Sequence, residues 1–141
     1  MKDSIRTIGH ENSILELQID DASSKLNILK SGLLEELKST LNDAAQANNV
    51  KAMLVTSGKE DTFIAGADIN EIQGLQGSSE AAEKAGEGQT IMNILDDMPF
   101  PTFCLINGAC LGGGFELALA CDYRIAVDIE KQEQREKERR A

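Results

Sequence analysis

The hydrophobic spacing changes twice within the first 60 residues. Leu15, Leu17 and Ile19 alternate with Glu16 and Gln18, the period-two pattern of a strand with one buried face. After a polar turn at Asp20 to Ser24, Leu33, Leu37, Leu41 and Ala45 recur every fourth residue and line one face of a helix. Ser31 is placed as its N-cap and Asn48-Asn49 as its end. Ala52 to Thr56 is a nearly continuous apolar run, the signature of a strand covered on both faces. Strand, helix and strand in this order predict a parallel pair joined by a helical crossover, so the class is α/β.

The same alternation continues. Ser57 to Thr62 reads as a loop, and Asp68 with Glu71 three residues on has the form of a short helix start. Gly74 to Ser79 is a break. A longer helix is expected between Ser79 and Met98, with Ala81, Ala85, Met92 and Leu95 facing inward, stopped by Pro99 and Pro101. Thr102 to Ile106 is a buried strand and Asn107 to Gly114 an irregular glycine-rich turn. Phe115 to Ala120 is a short apolar helix and Tyr123 to Val127 another strand. Strands at 14–19, 52–56, 102–106 and 123–127 are expected to share one core under the intervening helices.

With 141 residues there is room for one domain. Fourteen Lys and Arg stand against 24 Asp and Glu, a formal charge of −10. That balance argues against nucleic acid as a partner, since phosphates need a basic surface, and against anionic lipid. No apolar run approaches the roughly 20 residues of a membrane span, and the first six residues lack the apolar stretch of a secretory signal. A soluble, cytoplasmic protein is expected, with the mitochondrial matrix as the alternative. Cys104, Cys110 and Cys121 show no C-x-x-C spacing and sit among small or apolar residues, which reads as buried free thiols. With His10 as the sole histidine, neither a His-rich metal site nor a Ser-His-Asp centre is expected. Residues 1–127 hold the whole net charge. In 128–141 ten residues are charged, five of each sign, the pattern of a solvated helix or a frayed tail.

Two segments set backbone amides beside polar side chains. Gly66 permits a tight turn, and Ala65 and Ala67 leave room for a ligand to approach the main chain. Gly112, Gly113 and Gly114 run into a short helix carrying Glu116 in its first turn. Unpaired amides at a helix N-terminus suit an oxygen that gains negative charge. A triple glycine also serves as a turn or close-packing device, and a first-turn glutamate also serves as a surface residue favoured by the helix dipole.

The strings themselves carry more. Phe63-Ile64-Ala65-Gly66-Ala67-Asp68-Ile69 and Asn107-Gly108-Ala109-Cys110-Leu111-Gly112-Gly113-Gly114-Phe115-Glu116-Leu117-Ala118 resemble the two signature segments of the enoyl-CoA hydratase/isomerase (crotonase) superfamily. Ala120 to Ala126 fits the continuation, and Ser24-Lys25-Leu26-Asn27-Ile28-Leu29 is similar to the first acyl-CoA-binding turn. Within the superfamily the nearest resemblance is to the hydratase region of multifunctional fatty-acid-oxidation α-subunits. It covers about Ile14 to Val127.

The resemblance implies a crotonase-like spiral of β-β-α units and hydration of a 2-enoyl-CoA thioester in fatty-acid β-oxidation. It implies an oxyanion hole from the backbone amides of Ala65 and Gly113, and Glu116 as a catalytic carboxylate holding the added water. It implies acyl-CoA contacts along Ser24, Lys25 and Leu26, along Ala65, Gly66, Ala67 and Asp68, and at Gly112 and Gly113. Asp68 has a helix-capping role as its competitor. No metal or redox cofactor is implied, because coenzyme A belongs to the substrate. Relatives of this family form homo-oligomers or enter a β-oxidation complex.

After Val127 the family continues into a Gly-x-Pro-Glu-type loop that brings a second carboxylate. This chain instead continues Asp128-Ile129-Glu130-Lys131. Neither Glu136 nor Glu138 is assigned that role. Residues 1–127 are therefore expected to be the N-terminal part of a hydratase domain, truncated and followed by a charged tail, with apolar surface left exposed. Non-catalytic acyl-CoA binding and enoyl-CoA isomerisation remain the alternatives.

Overall fold

The computed structural model describes residues 3–66 and 77–140. Strand β1 (Ile5–His10) passes through a short 3₁₀ turn at Glu11–Ser13 into β2 (Ile14–Ile19), and the two pair antiparallel. Asn12 and Ser13 take positive φ, which reverses the chain there. The helix α1 (Ser31–Gln46) then leads to β3 (Ala52–Ser57), which lies parallel to β2. Next come β4 (Thr62–Ile64), α2 (Ser78–Asp96), β5 (Thr102–Ile106), β6 (Ala109–Cys110), α3 (Gly113–Ala120), β7 (Tyr123–Ala126) and α4 (Ile129–Arg140). One sheet has the order β1-β2-β3-β5-β7, and β4 with β6 forms a separate parallel pair. The expected short helix after Asp68 lies outside the described residues.

The four expected strands are present within one residue at their ends, and all join one sheet. Three strands were not expected. β1 reads as polar because it is a sheet edge: Arg6, Thr7, Gly9 and His10 are exposed, and of its residues only Ile5 is buried. β4 and β6 are three and two residues long, too short to show a period. Long-range pairing of Thr62 with Ala109 and Ile64 with Cys110 makes them strands.

The α1 stripe holds at Leu33, Leu37 and Leu41, but its last buried position is Ala44 and Ala45 is half-buried. A spacing of four drifts off a helix of 3.6 residues per turn, and the core takes the residue one earlier. Ser31 is the first helical residue rather than the cap, which is Lys30. In α2, Ala81 and Ala85 are exposed. The inward residues are Ile91 and Leu95, with Met92 half-buried. Only the C-terminal half of α2 lies on the core, so the small residues of its first half gain no partner there. Leu17, Ile19, Leu37, Leu41, Met53, Val55, Phe63, Ile64, Ile91, Leu95 and Leu117 form that core. Cys104 and Cys121 are buried within it and Cys110 is half-buried, all as free thiols.

The β7 flank is open. Phe115 and Leu119 on α3, Tyr123 and Ile125 on β7, and Val127 just after it are each about half exposed, at 52%, 54%, 57%, 55% and 47%. Thr102 and Asp122 nevertheless lock the start of β7 to β5, with Thr102 N–H donating to Asp122 Oδ2 and Asp122 N–H to Thr102 Oγ1, both at 2.9 Å. Arg124 Nη1 donates to the carbonyls of Ala118 and Cys121, capping the C-terminal end of α3.

Candidate active site

Three loop segments far apart in sequence meet at one edge of the core. Ala65 N–H donates to Asn27 O at 2.9 Å, Leu29 N–H to Gly66 O at 2.8 Å, and Leu111 N–H to Ile64 O at 3.0 Å. These bonds fasten the 24–29 turn to the 64–66 segment, and that segment to the glycine-rich turn. Gly66 has φ +107° and Gly112 φ +52°, conformations that side chains resist. A Cβ on Gly112 would lie 3.8 Å from Gly66 Cα, so the two turns touch main chain to main chain. A Cβ on Gly114 would lie 2.6 Å from Ile64 Cβ, and one on Gly108 would lie 1.9 Å from Asp61 O. Most of the glycine run therefore serves close packing.

The sequence-derived site residues divide accordingly. Gly113 opens α3, where a first-turn amide has no carbonyl to meet within its own helix. A Cβ there would meet Leu29 Cδ1 at 2.7 Å, so Leu29 is the near neighbour. Glu116 follows one turn later and its side chain is exposed. Ser24 is half-buried, while Lys25 and Leu26 are exposed at the tip of their turn. Ala67 and Asp68 lie outside the described residues. Ala65 N–H, the other donor that the resemblance implies, donates to Asn27 O at 2.9 Å.

Two residues that sequence reasoning left unassigned hold this region together. Asn27 is fully buried. Its Nδ2 has two hydrogens to share among Ile19 O, Ser57 Oγ and Phe63 O at 2.9–3.0 Å, and its Oδ1 accepts from Asp21 N–H. The available signal was an amide side chain set between Leu26 and Ile28. Lys59 Nζ donates to Asp21 O at 2.6 Å and Ser24 O at 2.8 Å and pairs with Asp20 Oδ1 at 2.8 Å. Nothing local to Lys59 announces that reach across 35 residues.

Asp21 is almost fully buried, with its carboxylate 2.9 Å from Lys30 Nζ. Burial pushes the carboxyl up, but hydrogen bonds from the Ser23 side chain, Lys30 and the Ser23 backbone outweigh it and hold Asp21 near about 2. A carboxyl lowered on folding stabilises the fold above its unfolded value of 3.8 and loses that contribution as pH falls toward about 2. Acid titration followed by circular dichroism is expected to show roughly 2 kcal/mol of stability lost across this window. An Asp21→Asn protein is less stable at neutral pH and lacks that part of the acid dependence. Equal acid profiles in the two proteins would show that Asp21 is not the group.

Among the described residues no group of three His, Cys, Asp or Glu side chains is placed to hold a metal ion. None of the described helices is long and apolar enough to cross a membrane.

Both the sequence and the fold have matches among known proteins. A family model described as enoyl-CoA hydratase/isomerase matches residues 9–137, nearly the whole chain. The chain belongs to the enoyl-CoA hydratase/isomerase family. The fatty acid oxidation complex subunit alpha of Aliivibrio fischeri is 43% identical over 122 residues, 86% of this chain and 18% of that protein. The same subunit of Vibrio parahaemolyticus is 39% identical over 121 residues, 86% and 17% of the two chains. In structure, the enoyl-CoA hydratase of Bacillus anthracis superposes with a TM-score of 0.80 at 31% identity, covering 88% of this chain and 47% of that one. The fold is therefore crotonase-like. This chain spans under a fifth of those curated relatives and about half of that solved hydratase.

Proposed function

We propose that this family member binds the thioester end of an acyl-CoA and works in enoyl-CoA hydration within fatty-acid β-oxidation. The supporting observation is the junction of the 24–29, 64–66 and 111–113 segments, which sets the Gly113 amide at the start of α3 one turn before Glu116. In this reading the Gly113 N–H receives the thioester oxygen. Polarising that carbonyl makes the β-carbon electrophilic and stabilises the enolate formed when water adds; one such donor is worth about 3 kcal/mol of barrier. Glu116 accepts a hydrogen bond from the water and takes its proton, and the α-carbon is then protonated by an acid. In this reading the Ala65 N–H, which donates to Asn27 O in the unliganded chain, is the second donor to the thioester oxygen. Ser24 to Leu26 meets the CoA portion, and the reaction calls on no metal or redox group. The cytoplasm is the proposed compartment.

Calorimetry with crotonyl-CoA and free CoA tests this reading. The thioester is expected to bind more tightly, because only it offers a carbonyl to Gly113, and Gly113→Pro is expected to erase the difference by deleting the N–H. Equal affinities in the unsubstituted protein would remove the oxyanion assignment. Binding without turnover, or isomerisation, is the second reading. It is favoured by the Asp128 to Lys131 sequence that stands where the family's second carboxylate loop would follow.

A further inference from the structure

Lys59 sits in the β3–β4 connection, outside every segment that the sequence assigned to the site. Its side chain is 14% exposed. An ammonium group has three hydrogens to donate. Here there are three partners at hydrogen-bonding distance: Asp21 O, Ser24 O and Asp20 Oδ1, at 2.6, 2.8 and 2.8 Å. All three belong to the stretch that leaves β2 and enters the Ser24–Leu26 turn. The main chain around Lys59 is fixed as well. Its N–H donates to Ser57 Oγ at 3.0 Å, and its carbonyl accepts from Asn107 Nδ2 at 2.6 Å, at the start of the glycine-rich turn. Next to it, Gly58 lies so close to Asp20 that a Cβ would come within 2.5 Å of the carboxylate.

We propose that Lys59 is a positioning residue for acyl-CoA binding, its ammonium holding the Ser24–Leu26 turn in the shape that receives the CoA portion. The inference rests on the acyl-CoA reading of that turn. Lys59 acts through the turn's carbonyls and not on a CoA phosphate, because its donors are already used. Without the ammonium the Ser24 carbonyl loses the Lys59 bond, the Asp21 carbonyl keeps only the 3.2 Å bond from Ser24 N–H, and the turn gains alternative conformations. Ligand binding must then supply the cost of ordering it. Lys25, exposed on the same turn, offers the contrast of a lysine open to solvent.

The test compares the unsubstituted protein with Lys59→Met and Lys25→Met, using free CoA and crotonyl-CoA at several salt concentrations, with amide hydrogen exchange on each protein. Lys59→Met is expected to weaken both ligands by the same factor, about fivefold to tenfold. The thioester-to-CoA ratio and the salt dependence should stay as they were, because neither the carbonyl donor nor a phosphate contact is lost. Exchange should rise at Ser24 and Leu26 while core amides such as Met53 keep their protection. A shallower salt dependence in Lys59→Met would show direct phosphate contact and overturn the proposal, as would unchanged CoA affinity. Exchange rising equally throughout the chain would show a general stability role instead and also overturn it. If the unsubstituted protein binds neither compound, the acyl-CoA reading itself fails, and the exchange pattern separately reports whether Lys59 holds the turn.

Discussion

Gly108→Ala is expected to destabilise the protein by more than the usual 1–3 kcal/mol of an overpacked core, lowering the melting temperature by roughly 10–20 °C. The new Cβ would sit 1.9 Å from Asp61 O and 2.4 Å from Asp61 C. These are backbone atoms at the entry to β4, so no side-chain rotation relieves the overlap. The β5–β6 connection and the start of β4 must separate, and the β4–β6 pair that carries both glycine turns separates with them. Gly114→Ala should follow the same course more mildly, since its Cβ would meet Ile64 Cβ at 2.6 Å and Ile64 O at 2.8 Å. Gly9→Ala is the control, with nothing within 4 Å of the added carbon. Thermal unfolding of the three proteins checks the order. A Gly108→Ala protein melting with the Gly9→Ala protein would mean that the loops do not approach as described.

Glu116→Gln should produce the largest effect on catalysis. Joining a family-like continuation with its Gly-x-Pro-Glu loop after Val127 is expected to give measurable hydration. In that protein Glu116→Gln should lower kcat by roughly 10²–10⁴-fold with KM little changed. The amide keeps the shape of the carboxylate and still orients a water, but it cannot accept the proton. Steady-state hydration of crotonyl-CoA measures both constants. An undiminished kcat would reduce Glu116 to a surface residue matched to the helix dipole at the start of α3.

The sequence by itself determined the alternation of strands and helices. Its hydrophobic periods at 15–19, 33–41 and 52–56 are local facts, and one buried face per element leaves few ways to stack them. The strings around the two glycine segments and Glu116 also carried the family resemblance, because a local motif can be read directly along the chain. Tertiary structure decided whatever depended on a partner distant in sequence. β4 and β6 are strands only because they pair with each other. Ala81 and Ala85 face solvent because the core reaches only the far half of α2. The Ala65 amide meets the Asn27 carbonyl, 38 residues earlier in the chain. Lys59 gives no local sign of its role, which is set by the carbonyls of Asp21 and Ser24. A backbone donor has one hydrogen and an ammonium has three, and which acceptors they meet is fixed only when the loops are brought together.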